Sequence, residues 1–61
     1  MNKSEAITRA KKMSNNRGET IIVYEDKNEG FEGFDFTTES HWDFLVDTNY
    51  AEPNWIVCVI N

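Results

Sequence analysis

The chain has 61 residues, 39% apolar and 28% charged, with 6 Lys+Arg against 11 Asp+Glu for a formal net charge of −5. That length allows a single domain, residues 1–61, whose core supplies no more than about 3–5 kcal/mol unless something staples it. One Cys and one His give neither an internal disulfide nor a structural zinc site, and the longest apolar run, Trp55 to Ile60, is far short of the roughly 18 residues of a membrane span.

No apolar stretch follows Met1 to Glu5, so no export signal is expected. A single Cys then suits a reducing cytoplasm. Residues 3–16 are predicted to be a helix. Ala6, Ile7, Ala10 and Met13 recur at spacings of three and four, which gives a narrow apolar stripe. Asn2 is placed to cap the start, Glu5 completes a capping-box pattern, and Gly18 suits a left-handed exit. Residues 19–25 are strand-like. Residues 26–30 form a turn in which Asn28 and Gly30 tolerate positive φ. Residues 31–37 alternate, with Phe34 and Phe36 on one face, so a hairpin is the natural connection. Gly33 marks a bulge or a close backbone contact.

Residues 41–47 fit two patterns. As a strand they turn Trp42, Phe44 and Val46 inward, and only Leu45 misfits. As a helix capped by Ser40 they group Trp42, Leu45 and Val46 and strand Phe44 on the far side. The strand fits more positions and is preferred. Residues 48–54 read as a loop, because Pro53 disfavours helix at the residue before it, and residues 55–60 as a final strand. The expected core is Ile7, Ala10, Met13, Ile21, Val23, Phe34, Phe36, Trp42, Phe44, Val57 and Val59. The fold class is α+β: an N-terminal helix packed on a small, mostly antiparallel sheet of three to four strands.

The first and last strands are apolar on both faces, as in strands covered on both sides. One helix covers one face. The second face is expected to be closed by loop aromatics such as Tyr50 or by another protein, and oligomerisation would also add stability.

Charge is unevenly placed. Residues 1–17 carry Lys3, Arg9, Lys11, Lys12 and Arg17 against Glu5, a balance of +4; residues 18–61 carry Lys27 against ten acids, a balance of −9. The basic helix is either a solvated face, a contact surface, or a lid over the acidic remainder.

Candidate chemistry is sparse. His41 has no nucleophile tied to it by spacing, and Cys58 sits among valines with no cation to activate it. Asp26, Asn28 and Glu32 lack the glycine and distal Glu of a calcium loop. No catalytic residue, cofactor or metal is assigned, and no enzyme is expected. The aromatics Phe31, Phe34, Phe36 and Trp42 lie among acids, where phosphate is repelled, so direct nucleic-acid binding is not the favoured reading.

The acids Glu25, Asp26, Glu29, Glu32, Asp35, Glu39, Asp43 and Asp47 form a candidate partner-binding array. Carboxylates two apart on a strand lie roughly 6.6 Å apart, and a DNA strand presents a phosphate about every 3.4 Å. Such an array can present a field like that of DNA and steer a basic partner; the bland alternative is that the acids only keep a small domain soluble. In size, charge and layout the chain resembles small acidic accessory proteins encoded by phages and prophages. Some of these inhibit host or defence enzymes, including as DNA mimics. The resemblance carries over no functional positions. It implies a non-catalytic protein-binding module, acting on a basic protein or on a second copy of itself as a homodimer. The alternative is a small nucleic-acid-associated regulator using the basic helix.

Overall fold

The computed structural model describes residues 1–61. Helix α1 runs Lys3–Arg17. Its start is fixed by Asn2, whose side chain accepts from the Glu5 N–H at 2.7 Å, and an exposed Glu5–Arg9 pair one turn later supports it. Its end is fixed by Gly18 at φ 65°, which donates to the Ser14 carbonyl at 2.8 Å. The buried stripe is Ala6, Ala10 and Ser14, at i, i+4 and i+8. These are small side chains, so the helix backbone lies close on the sheet. The Ser14 hydroxyl donates to the Glu19 carbonyl at 2.8 Å and binds the helix end to the approach of the first strand.

Strands β1 (Ile21–Asp26), β2 (Gly33–Thr38) and β3 (Ile56–Ile60) form one antiparallel sheet in the order β2-β1-β3. There are three strands, and β1 is central. Its apolar run is divided by alternation. Ile21 and Val23 point to α1 and are fully buried with Ala6 and Ala10; Ile7, Met13, Phe34, Phe36, Val57, Cys58 and Ile60 pack around them. Ile22 and Tyr24 point the other way.

That second face is closed from within the chain. Residues 41–47 are helical, not a strand: α2 runs Glu39–Asp47. Its cap is Thr38, whose hydroxyl accepts from the His41 N–H at 3.3 Å; Ser40 is inside the helix. Trp42 is buried against Tyr24, ring centroids 4.8 Å apart, and Leu45, Val46, Ala51 and Trp55 complete the cluster with Ile22. The alternation misled because it weighs one segment alone. With β1 already paired on both edges, the uncovered sheet face needed a lid, and Trp42, Leu45 and Val46 on a helix supplied most of one beside Ala51 and Trp55. The penalty is Phe44, expected in the core but 58% exposed, whose burial would be worth about 1.5–3 kcal/mol.

A Schellman turn ends α2. Asn49 takes φ 63°, its N–H bonds the Val46 carbonyl at 3.1 Å, and the Tyr50 N–H bonds the Leu45 carbonyl at 2.9 Å. A short 3-10 turn, Pro53–Trp55, leads into β3. Tyr50 does not cover the sheet; its aromatic role passes to Trp55, whose indole N–H donates to Glu52 at 3.1 Å.

Strand β3 departs from expectation too. Its apolar composition suggested cover on both faces, yet it is an edge strand. Ile56 is 37% and Val59 47% exposed, and the expected core residue Val59 therefore lies outside. A register shift between Val23 and Tyr24 leaves Val57 as an extra residue opposite β1. Gly33 adjoins the Met1 backbone, but a Cβ there would meet the Met1 carbonyl at 3.4 Å, an ordinary van der Waals distance; what favours glycine is its φ of 140°.

Candidate interaction surface

The eight acids of the sequence array fall into separate places. Asp26 ends β1 and is only 6% exposed. Its Oδ1 accepts from the Asn28 N–H at 2.9 Å and from Asn28 Nδ2 at 3.1 Å, and its Oδ2 accepts from the Tyr50 hydroxyl at 2.9 Å. Asn28 Nδ2 also donates to the Tyr50 carbonyl at 2.8 Å. This clasp ties the hairpin turn to the α2–β3 connection. A carboxylate so occupied does not face a partner, and Asp26 leaves the array. The phenol of Tyr50 is raised above its ordinary pKa of 10, first by its hydrogen bond to Asp26. Tyr24 is pushed up to about 12, first by burial and then by the charges of Asp35 and Asp26.

Glu29 and Glu32 lie in the hairpin turn, where Glu32 accepts from the Gly30 N–H at 2.8 Å. Glu25 and Asp35 are exposed on opposite faces of the sheet: Glu25 pairs with Phe34 on the α1 side, Asp35 with Tyr24 on the α2 side. Asp35 also accepts from the Phe36 N–H at 2.8 Å.

The helical form of residues 39–47 rearranges the other three. Glu39, Asp43 and Asp47 fall at i, i+4 and i+8 and are all exposed. They make one line along α2, stepping about 6 Å at 1.5 Å per residue. None of the three carboxylates takes part in an ion pair or a hydrogen bond. Beside the line, the rings of His41 and Phe44 stack with centroids 5.9 Å apart, both exposed. No base–nucleophile arrangement involves His41, whose ring contact is with Phe44. Cys58 is half-buried and free.

This helix breaks its own electrostatic rules. Like charges at i, i+4 each destabilise a helix by about 0.2–0.5 kcal/mol. An acid in the last turn opposes the helix dipole; Asp47 stands there, and α2 has no basic residue in that turn. The cations do not come to its aid. The two ion pairs are local: Arg9 to Glu5 at 3.3 Å and Arg17 to Glu19 at 3.6 Å. Helix α1 lies on the opposite face of the sheet, so it is no lid over the acids. The molecule is electrically two-sided.

The concave regions are shallow. The largest is an open trough of about 700 Å³ between the end of α1 and the end of β3, lined mostly by polar residues that include Lys11, Glu19, Thr20 and Asn61. A smaller hollow beside α1 is lined by Arg9, Lys12, Met13, Asn16, Arg17 and Phe36. No group of three or more His, Cys, Asp or Glu side chains is placed to hold a metal ion, and no helix is long and apolar enough to cross a membrane. Compared with family models, with curated proteins and with solved structures, the chain matches none.

Proposed function

We propose that this protein is a non-catalytic binding module that occupies a basic protein surface, in the manner of a phage-type inhibitor or DNA mimic, with α2 as its contact element. The observation that carries this reading is the unpaired line of Glu39, Asp43 and Asp47 beside the exposed His41–Phe44 stack. Local rules are broken where function demands it: Glu39 suits the first turn of the helix, but Asp43 and Asp47 gain no ion pair or hydrogen bond inside the fold. A basic groove would neutralise the line, and Phe44 would supply apolar contact at its centre, where aromatic anchors carry most binding energy. Asp35 on the same face of the sheet and the acids of the hairpin turn would add to steering and on-rate.

The probe is a set of DNA-binding proteins recovered from DNA-cellulose, passed over immobilised wild type and over Glu39→Gln/Asp43→Asn/Asp47→Asn at rising salt. The expected result is a protein retained by wild type only and released both by salt and by duplex DNA. Equal retention on both columns, or retention indifferent to salt and to DNA, would contradict the reading.

A second reading rests on Lys3, Lys11 and Lys12, which make no ion pair: α1 would touch nucleic-acid phosphates. A gel shift that is seen with wild type and lost in Lys11→Glu/Lys12→Glu would favour it; no shift with wild type would end it.

A further inference from the structure

The two outer edges of the sheet are finished differently. On β2 the outward N–H groups of Phe34 and Phe36 are occupied. That of Phe34 donates to the Met1 carbonyl at 3.0 Å, and that of Phe36 donates to the Asp35 side chain at 2.8 Å. On β3 no loop or side chain takes up the edge. Nor does β3 carry the usual protection of a charge or a proline within the strand; residues 53–61 contain no charged residue at all, in a chain that is 28% charged. Both helices sit mainly over β1 and β2, so β3 is also thinly covered on its faces, and Ile56 and Val59 are exposed on the α2 side.

The direction of the open groups follows from the ladder. Backbone groups alternate between neighbours along an antiparallel strand. Phe34 and Phe36 turn their N–H groups outward, so their partners Glu25 and Val23 turn theirs toward β3. Cys58, opposite Val23, therefore faces β1, and Val59 presents both its N–H and its C=O at the bare edge. Val59 also projects its side chain to the α2 face, with Ile22 opposite.

We infer that β3 pairs antiparallel with β3 of a second copy of this chain, centred on Val59, to make a continuous six-stranded sheet. A twofold axis perpendicular to the sheet keeps each face on its own side. It sets Val59 against Val59 of the partner subunit, each donating to and accepting from the other, and Cys58 against the partner's Ile60, both on the α1 face. The strand selects this occupant, because about Val59 it matches itself, apolar residue against apolar residue, and charge selects the place. Two molecules of net charge −5 repel over most of their surface and meet at lowest cost along the one edge without charge. Area sets the strength. A specific interface needs about 1,000 Å² in total, or roughly an eighth of the 4086 Å² surface of each copy. Pairing about Val59 sets residues 57–61 of the two copies against each other, with Val59 the exposed apolar side chain at the axis; so short a contact lies at or below that lower limit, and the dimer dissociates on dilution. The inference does not rest on the acidic line of α2.

Sedimentation velocity over a concentration series tests it on wild type, Val59→Lys and Phe31→Lys, each checked for fold by circular dichroism. Wild type is expected to move from monomer to dimer with concentration. Val59→Lys is expected to stay monomeric although its net charge is smaller, and Phe31→Lys, altered at the most exposed apolar residue, to dimerise like wild type. Val59→Cys in a Cys58→Ala background is expected to form a disulfide-linked dimer on mild oxidation, and wild type, with Cys58 off the axis, is not. Overturning results are a wild type monomeric throughout, dimers of equal strength in wild type and Val59→Lys, loss of the dimer in Phe31→Lys, or a Val59→Cys/Cys58→Ala protein that dimerises without crosslinking. A monomeric wild type would leave binding through α2 untouched, so the two readings fail separately.

Discussion

The two faces of one small sheet are covered by different means. On the α1 side the lid is a fifteen-residue helix with capped ends and small buried side chains, and Ile21 and Val23 beneath it are fully buried. On the α2 side the lid is nine residues with one fully committed aromatic, Trp42. Its acids are unpaired, its Phe44 is exposed, and its margin at Ile56 and Val59 is open. The first face is built for stability. The second is less completely closed, and it leaves unpaired acids and apolar side chains turned toward solvent.

The contrast can be broken most severely at Trp42. Truncating a buried Trp costs about 3–5 kcal/mol, comparable with the whole stability expected of a core this size. Trp42→Ala should therefore be largely unfolded without denaturant, as read by near-ultraviolet circular dichroism; a cooperative urea transition near that of wild type would show that α2 is not a structural lid. The α1 side should fail for the opposite reason. Ala10 is fully buried where helix and sheet approach, so Ala10→Leu should overpack it at a cost of about 1–3 kcal/mol, and an unchanged urea midpoint would mean the approach is looser than described.

The Asp26 clasp sharpens the comparison between rigid and open parts of the α2 side. Asp26→Ala removes the acceptor of the Tyr50 hydroxyl and of the Asn28 N–H, donors that water can reach, and should cost about 0.5–1.5 kcal/mol. It should also bring the Tyr50 titration, followed by ultraviolet absorbance, back toward its ordinary value of 10. A Tyr50 titration unmoved by the substitution would mean the hydrogen bond does not form.

Tyr24 gives a pH signature. Its folded-state pKa is raised from 10 to about 12, so the neutral phenol is the form the fold favours. That contribution is complete below pH 10 and is lost as pH rises through about 12. The urea midpoint of wild type should fall more steeply over that window than that of Tyr24→Phe, which lacks the titrating group. Parallel declines would place the loss elsewhere.

Much of this was legible in the sequence, unevenly. Helix α1 was readable because cap, stripe and exit glycine all agree within one segment. Strand β1 and the hairpin were readable because apolar alternation and turn residues sit side by side. Residues 41–47 were not, since Trp42, Phe44 and Val46 alternate as well as a strand does. The decision lay in a fact outside the segment, namely that the sheet had a face to close and no further strand to gain. The burial of Ile22, Tyr24 and Trp55 followed from the same missing lid. Asp26 looked like any other surface acid because its partner Tyr50 is 24 residues away. The line of Glu39, Asp43 and Asp47 was hidden for the same reason: only a helix brings those three together. Val59 was read as core because nothing local says which apolar strand is central and which is the edge.

Whether α2 gives up stability for contact can be measured by urea unfolding of Asp43→Asn/Asp47→Asn beside Glu25→Gln/Glu29→Gln. Each variant removes two acids, and only the first removes the i, i+4 repulsion and the acid opposing the helix dipole. The expected result is that Asp43→Asn/Asp47→Asn gains about 0.5–1 kcal/mol over wild type and clearly exceeds the hairpin control. A gain no larger than the control's, or a loss of stability, would mean these acids serve the fold and would contradict the account.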